Sequence, residues 1–361
     1  MQQKHFSSKK ADKNIKSLVQ KARGFIKDQR FDDALTTYDE VLKENPEATG
    51  AYMGIGTIYM RKGELDEAEK YFNGALHVTK NVAPVLNKLA SVAQKRGDNE
   101  KALKLNKDAL EVDPKFLKAA IGVGKILFQE ERYEEAKNVL GGALKYNPQS
   151  NEAEILFSRI VQKMGQPNDA IDNLNKLLAR DPNSWSVYFQ QARIYLSEKQ
   201  FDEAAKAAIK SLKIKPDNIR ASICLAQAYI GSKQYIKAID ILSELVSENS
   251  DMWSARKLLA RSLLLNGELE EAKKLLNKMA SGKRGLGAIH FMLGDIFEKQ
   301  GLTSHALAEY EAGVLHSEKL VEKYPRLKEL INMEMDENKK ANEFKTLLME
   351  VREDFSDDEQ L

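Results

Sequence analysis

Nine alanines recur every 34 residues without an insertion or deletion: Ala34, Ala68, Ala102, Ala136, Ala170, Ala204, Ala238, Ala272 and Ala306. A fixed period of this size marks an array of repeated supersecondary units. One such unit cannot bury a hydrophobic face alone, so neighbours must stack and share a core. No other feature of the chain restricts its fold as strongly. It also moves the question of function from chemistry to recognition, namely which face of the stack binds what.

Other positions keep the same register. Twelve residues before each alanine the side chain is small: Ala22, Gly56, Ala90, Gly124, Ser158, Ala192, Ala226, Ala260 and Gly294. Glycine is common five before (Gly63, Gly97, Gly165, Gly267, Gly301), and proline stands twelve after at Pro46, Pro114, Pro148, Pro182 and Pro216. Large apolar residues often lie nine before and four after, as in Tyr59 with Phe72 and Phe297 with Tyr310. This spacing predicts a helical hairpin. The small residue lets two helices approach, the glycine gives a left-handed end to the first, and the proline stops the second.

The unit YMGIGTIY…AEKYF, with Tyr52, Ile55, Gly56, Tyr59, Ala68 and Phe72, resembles the tetratricopeptide repeat (TPR) family pattern W-x2-L-G-x2-Y…A-x3-F…P. The resemblance covers residues 13–318. It implies an all-α, right-handed α-solenoid of nine helical hairpins with C-terminal capping helices. Departures occur where Lys80, Ser250, Arg284 and Glu318 replace the terminal proline, and where Ala93 and Asn106 replace large residues. Those junctions are expected to be looser or differently bent.

Around the array, residues 1–12 are polar and basic and are expected to be disordered. Residues 319–350 carry helical apolar spacing and read as capping helices over the last unit, with a partner-binding helix as the alternative. Residues 351–361 read as a solvated acidic tail. The single cysteine, Cys224, excludes a disulfide framework and reads as a small core residue. No apolar run reaches the ~18 residues of a membrane span, and MQQKHFSSKKADKN lacks the apolar region of a signal peptide. The expected location is cytoplasmic.

Signals for chemistry are sparse. His5, His77, His290, His305 and His316 show no HExxH and no shared metal spacing, and His77 and His316 read as helix-surface or inter-helix residues. The stretch SGKRGLG, Ser281 to Gly287, lacks GxxxxGK[ST] and reads as a turn between the eighth and ninth units. Acidic pairs such as Asp32/Asp33, Asp66/Glu67 and Glu270/Glu271 precede the repeat alanine, where they complement a helix dipole. No enzyme, cofactor or metal is expected.

Positions 15, 11, 8 and 7 before the alanine trace one stripe of the first helix. In proteins similar to this one, those helices line a concave surface that binds extended peptides or helices. Eleven before stand Arg23, Lys125, Arg159, Arg193, Gln227 and Arg261; seven before stand Lys27, Arg61, Lys95 and Lys163. Over both series ten of eighteen positions are basic and one is acidic, while the chain holds 56 basic and 54 acidic residues. Charge is therefore sorted by face. Met53 and Phe189 fifteen before, with Met60 and Phe128 eight before, set apolar surface between the cations.

Such a groove suits an acidic segment with hydrophobic anchors, held by arginine forks at roughly micromolar affinity. A structural origin stands beside that reading. Lysines seven before sit where the helix dipole favours cations, and arginines eleven before can pair with carboxylates of a neighbouring unit. One TPR subset clamps chaperone C-terminal carboxylates with Asn eleven before the alanine; no unit here has it, and Asn87 and Lys88 stand isolated. The expected function is a non-enzymatic scaffold or adaptor for such a protein partner. Alternatives are homo-oligomeric self-assembly through the groove and C-terminus, and nucleic-acid binding. The net charge of +2 and the lack of serial aromatics disfavour the last.

Overall fold

The computed structural model describes the backbone of residues 2–248, 251–282, 285–317, 322 and 324–354, with side chains from Asn14 to Met349 among them. These residues form twenty α-helices and no strand. The chain divides into two compact units, residues 1–177 and 178–361.

The first unit holds α1 (Gln2–Lys27), α2 (Phe31–Glu44), α3 (Thr49–Lys62), α4 (Leu65–Val78), α5 (Ala83–Lys95), α6 (Asn99–Val112), α7 (Leu117–Gln129), α8 (Tyr133–Leu144) and α9 (Asn151–Lys163). Helix α10 (Pro167–Arg180) carries the chain past the boundary. The second unit holds α11 (Trp185–Ser197), α12 (Phe201–Ile214), α13 (Ile219–Gly231), α14 (Tyr235–Glu248), α15 (Trp253–Asn266), α16 (Leu269–Ala280), α17 (Leu286–Lys299), α18 (Thr303–Leu315), α19 (Pro325–Asn332) and α20 (Glu337–Asp354).

The repeat alanine sets the frame. Every even helix from α2 to α18 begins three residues before it, and all nine alanines are fully buried. Only α6 among those helices that show an N-cap residue has a side-chain cap, from Asp98 to the Lys101 amide. The turn that precedes each start supplies the order instead. In all nine hairpins the residue five before the alanine is left-handed, with φ from 57° to 89°. Glycine fills five of these places; Gln29, Glu131, Lys199 and Lys233 fill the rest. The following amide donates back five residues to close the turn, as in Glu64 N to Tyr59 O at 3.0 Å and Arg132 N to Leu127 O at 2.9 Å.

Close approach within each hairpin follows from the small residue. Phe72 packs on Gly56 and Leu140 on Gly124, where an added Cβ would lie 2.7 Å from the ring or methyl. Both large partners are fully buried. In the third repeat the equivalent partner is Asn106, 4% exposed, and its Oδ1 accepts from Asn87 Nδ2 at 2.8 Å. Asn87, itself half-buried, thus donates to a buried partner in the core. Lys80, in place of proline, leaves α4 ending at Val78, two residues ahead, as α2 and α6 end before their prolines. Ser250, Arg284 and Glu318 lie outside the described residues.

Within the first unit, α1 touches α3, α5 touches α7 and α7 touches α9; in the second, α11 touches α13, α13 touches α15 and α15 touches α17. No comparable contact joins successive even helices of α2–α18 among the described residues. Odd helices therefore form the inner layer of each unit.

The N-terminus departs from expectation. Helix α1 starts at Gln2, so the segment expected to be disordered is helical from its second residue. Lysine, glutamine and alanine favour helix, and no proline interrupts Gln2–Lys27. At the other end α19 and α20 pack on α18, burying Leu327, Leu330, Phe344 and Leu348 with Tyr310 and Val314. Lys340, 9% exposed, joins all three helices: its Nζ donates to Ile331 O and to Glu311 Oε1, each at 2.8 Å. Of the acidic tail, residues 355–361 lie outside the described residues.

Candidate functional site

Six helices of the inner layer sort charge more sharply than the two series suggested. Helices α3, α5 and α7 contain no aspartate or glutamate, nor do α11, α13 and α15. The acidic residues concentrate on the second helices. Several carry a second task beyond complementing the dipole. Asp32 accepts from Lys62 Nζ at 3.2 Å, Asp66 from Arg96 Nη2 at 2.6 Å, and Glu270 from Gln300 Nε2 at 2.9 Å. Each joins a position two before one alanine to a position six before the next. The cations Lys62 and Arg96, six before the alanine, are thus matched by acids of the preceding second helix, whereas α3, α5, α7, α11, α13 and α15 offer none of their own.

In the first unit, α1 carries Arg23 and Lys27, α3 carries Met53, Met60 and Arg61, α5 carries Lys95, α7 carries Lys125 and Phe128, and α9 carries Arg159 and Lys163. Every lysine of this set, with Arg23 and Arg61, is exposed, while the methionines, Phe128 and Arg159 are half-buried. Met53 and Met60 lie against the cluster of Phe72 and Leu89, and Phe128 against that of Leu140 and Leu156. The apolar members are thus partly core. The structure brings Phe128 and Arg159 together, the guanidinium lying 4.7 Å from the ring centroid. In the second unit, Phe189 and Arg193 on α11 stand 6.0 Å apart in the same sense, and Gln227 on α13 and Arg261 on α15 are exposed.

Part of the basic series is committed internally. Lys125 Nζ pairs with Glu152 of α9 at 2.8 Å, both side chains being at least half exposed. Arg61 Nη1 donates to Ile26 O at 3.3 Å. Arg23 hydrogen-bonds the Tyr38 phenol; burial pushes that phenol up and Arg23 opposes the shift. The pairing of inner-face cations with a neighbouring unit's carboxylate is therefore real at Lys125.

Two cations in the first unit lie outside both series. Lys88 on α5 is half-buried, and Lys118 opens α7. They stand fourteen and eighteen before their alanines, off the traced positions. The absence of acids from α3, α5 and α7 is the signal that would have drawn attention to them.

Residues with reactive side chains are occupied otherwise. Cys224 is buried on α13, and burial pushes its thiol up to about 12, against the opposing charge of Arg193. His290 Nδ1 lies 2.7 Å from Glu309 Oε2, and its ring stacks on His316 at 5.4 Å, so His316 is an inter-helix residue. Among the described residues no three His, Cys, Asp or Glu side chains gather around a common point. Ser281 and Gly282 turn after α16, and Gly285, left-handed at φ 60°, packs against Trp253 before α17. No described helix is long and apolar enough to cross a membrane.

Family models described as tetratricopeptide repeat match residues 19–82, 93–160 and 229–290. One described as anaphase-promoting complex, cyclosome, subunit 3 matches residues 163–245. No curated protein matches the sequence. Among solved structures, a tetratricopeptide repeat protein from Parabacteroides merdae is 19% identical with a TM-score of 0.55, over 70% of this chain and 99% of that one. The human IFIT1 dimer with m7Gppp-AAAA is 16% identical with a TM-score of 0.56, over 91% of this chain and 88% of that one. At these identities the likeness is one of fold. With nine in-phase alanines at helix starts, nine left-handed turns and the matched repeats, the chain belongs to the tetratricopeptide repeat family.

Proposed function

We propose that this chain is a non-enzymatic scaffold whose inner helices hold an acidic, partly apolar segment of a protein partner. The observation that carries this reading is the exclusion of acids from six inner helices while cations remain on them. A fold that stacks hairpins offers long ridged surfaces suited to partner segments, and the repeat family is consistent with protein–protein interaction. A face of one charge sign raises the encounter rate with an opposite partner and disfavours like-charged ones. Half-buried Phe128 beside Arg159, and Phe189 beside Arg193, give each unit an apolar anchor with a cation above it. The side chains proposed to bind are Arg23, Lys27, Met53, Met60, Arg61, Lys95, Lys125, Phe128, Arg159, Lys163, Phe189, Arg193, Gln227 and Arg261.

The test is affinity capture from the source lysate with mass spectrometry, comparing the native chain with an Arg159→Glu/Arg193→Glu variant. Circular dichroism and a melting curve first establish that the variant is folded. Loss of one set of captured proteins, sharing acidic segments, supports the reading. Identical capture by both proteins would show that the basic face is structural.

A further inference from the structure

One edge of each unit, where the second helices end and the next inner helices begin, carries exposed apolar residues among cations. In the first unit Val112 and Tyr146, each ten after its alanine, are more than half exposed. Lys115 Nζ lies 5.1 Å from the Tyr146 ring centroid, and Asn147 Nδ2 donates to Lys115 O at 3.1 Å. In the second unit the same position is Ile214, also exposed, and there the pattern is fuller. Trp185 and Tyr188 stand three apart in the first turn of α11 and so share a face. Lys215 Nζ lies 4.7 Å from the Trp185 centroid, and Lys210 Nζ 5.4 Å from that of Tyr188. Ser211 Oγ donates to Trp185 O at 2.9 Å, which ties the last turn of α12 to the start of α11.

The loop after α12 keeps the group together. Lys215 N donates to Ser211 O, Asn218 N to Lys215 O and Ile219 N to Asp217 O, and the turn leaves both Ile214 and Ile219 exposed. From Lys210 to Arg220 the chain has four cations, Lys210, Lys213, Lys215 and Arg220, against one acid, Asp217. Among the described residues no carboxylate makes an ion pair with any of the four, whereas Lys206, one turn before Lys210, pairs with Glu203 at 3.4 Å. The C-terminal dipole of α12 accounts for cations near it. It does not account for two exposed isoleucines and two aromatic rings beside them.

We propose that this edge of the second unit docks peripherally on an anionic lipid bilayer. Trp185, Tyr188, Ile214 and Ile219 enter at headgroup depth, and Lys210, Lys213, Lys215 and Arg220 meet the lipid phosphates. Trp and Tyr join an apolar ring to a polar edge and settle at the headgroup level. Isoleucine side chains gain by leaving water, and lysine stems cover apolar surface while their ammonium heads stay hydrated. Each cation near an anionic surface favours binding about fivefold. Nucleic acid fits less well, because a base needs a free ring face and an ammonium already stands over each ring. None of these residues is among those proposed to bind a partner segment, so the two readings are independent.

The test uses the full chain and vesicles of phosphatidylcholine, alone or with about one-third phosphatidylglycerol. Co-sedimentation gives the partition of the native chain and of Lys213→Gln/Arg220→Gln, two exposed positions whose change leaves the rings and their lysines in place. The anionic vesicles should bind the native chain and the neutral ones should not, and the double variant should bind about 25-fold more weakly. The chain has two tryptophans, so Trp253→Phe leaves Trp185 as the only indole. Its emission should move to shorter wavelength on anionic vesicles and be quenched by lipids brominated near the headgroup. Absence of binding to anionic vesicles overturns the proposal. Binding that leaves Trp185 emission unmoved and unquenched puts the contact elsewhere and overturns it equally. Equal binding of the double variant overturns the locus whether or not Trp253→Phe folds. A Trp185 shift with single-stranded poly(U) but not with vesicles makes the edge a nucleic-acid site, and the bilayer assignment fails.

Discussion

Gln29, Glu131, Lys199 and Lys233 occupy the left-handed hairpin turn at φ 59°, 59°, 57° and 61°, where five other repeats have glycine. All four side chains are exposed, so replacing them removes little packing. A residue with a Cβ in this conformation costs about 1–2 kcal/mol. Glycine avoids that cost but adds roughly 0.5–1 kcal/mol of unfolded-state entropy. The net expectation is about 0.5–1 kcal/mol of stabilisation for each of the four glycine variants. Because the sites are separated by whole repeats, the quadruple variant should gain roughly 2–4 kcal/mol. The reverse change, Gly63→Ala, should lose about 1 kcal/mol, since a Cβ there meets nothing within 4 Å and only the backbone resists. Urea unfolding measures the sum. Because repeat arrays can lose cooperativity, exchange of the amides that close the turns, Arg30, Arg132, Gln200 and Gln234, measures each repeat. Glycine variants that are neutral or less stable would refute the idea that these turns hold backbone strain.

Three other outcomes follow from packing and charge. Gly56→Ala should destabilise by roughly 1–3 kcal/mol, because its Cβ would press 2.7 Å from Phe72, while Gly142→Ala on α8, with nothing within 4 Å, should gain about 0.5–1 kcal/mol; thermal melts read both. Glu69 accepts from Lys101 and Arg96, which hold its carboxyl below the usual 4.5. A depressed carboxyl stabilises the fold above its unfolded value, so Glu69→Gln should cost about 1 kcal/mol at pH 7. That difference should fade as the pH falls below 4.5 through the folded value, which urea midpoints at pH 7 and at acid pH can follow. Lys340→Met should leave Glu311 and Ile331 O without their donor, and limited proteolysis should then cut α19–α20 faster while the earlier helices stay protected.

The hairpin boundaries were legible because one small residue per period is enough to phase the array. Ala34 to Ala306 mark helix starts, and the glycine position marks left-handed turns even where Glu131 or Lys199 stands instead. The C-terminal apolar spacing likewise anticipated α19 and α20. Other features depend on partners far apart in sequence. The buried Asn106 looks like a defect until Asn87, nineteen residues earlier, is placed against it. The acids ahead of each alanine looked like dipole compensation alone, yet Asp32 and Asp66 reach cations thirty residues on. Helix formation at the N-terminus was missed because composition weighs charge and polarity, whereas an unbroken run of helix formers needs no core to extend.

The identical turn in every hairpin restricts how the length of this chain can change. Each left-handed residue and its closing hydrogen bond fix where the next helix starts, and the large residue seven positions into that helix must meet the small residue opposite, as Phe72 meets Gly56. Removing one residue inside a helix rotates everything beyond it by about 100° and sends the large residue away from its seat. Removing 34 residues returns the chain to an equivalent phase, with the next helix facing the same way. Viable insertions and deletions are therefore quantised. The scaffold can gain or lose a whole rung of recognition surface, and it tolerates fractions of one only in the loops between rungs.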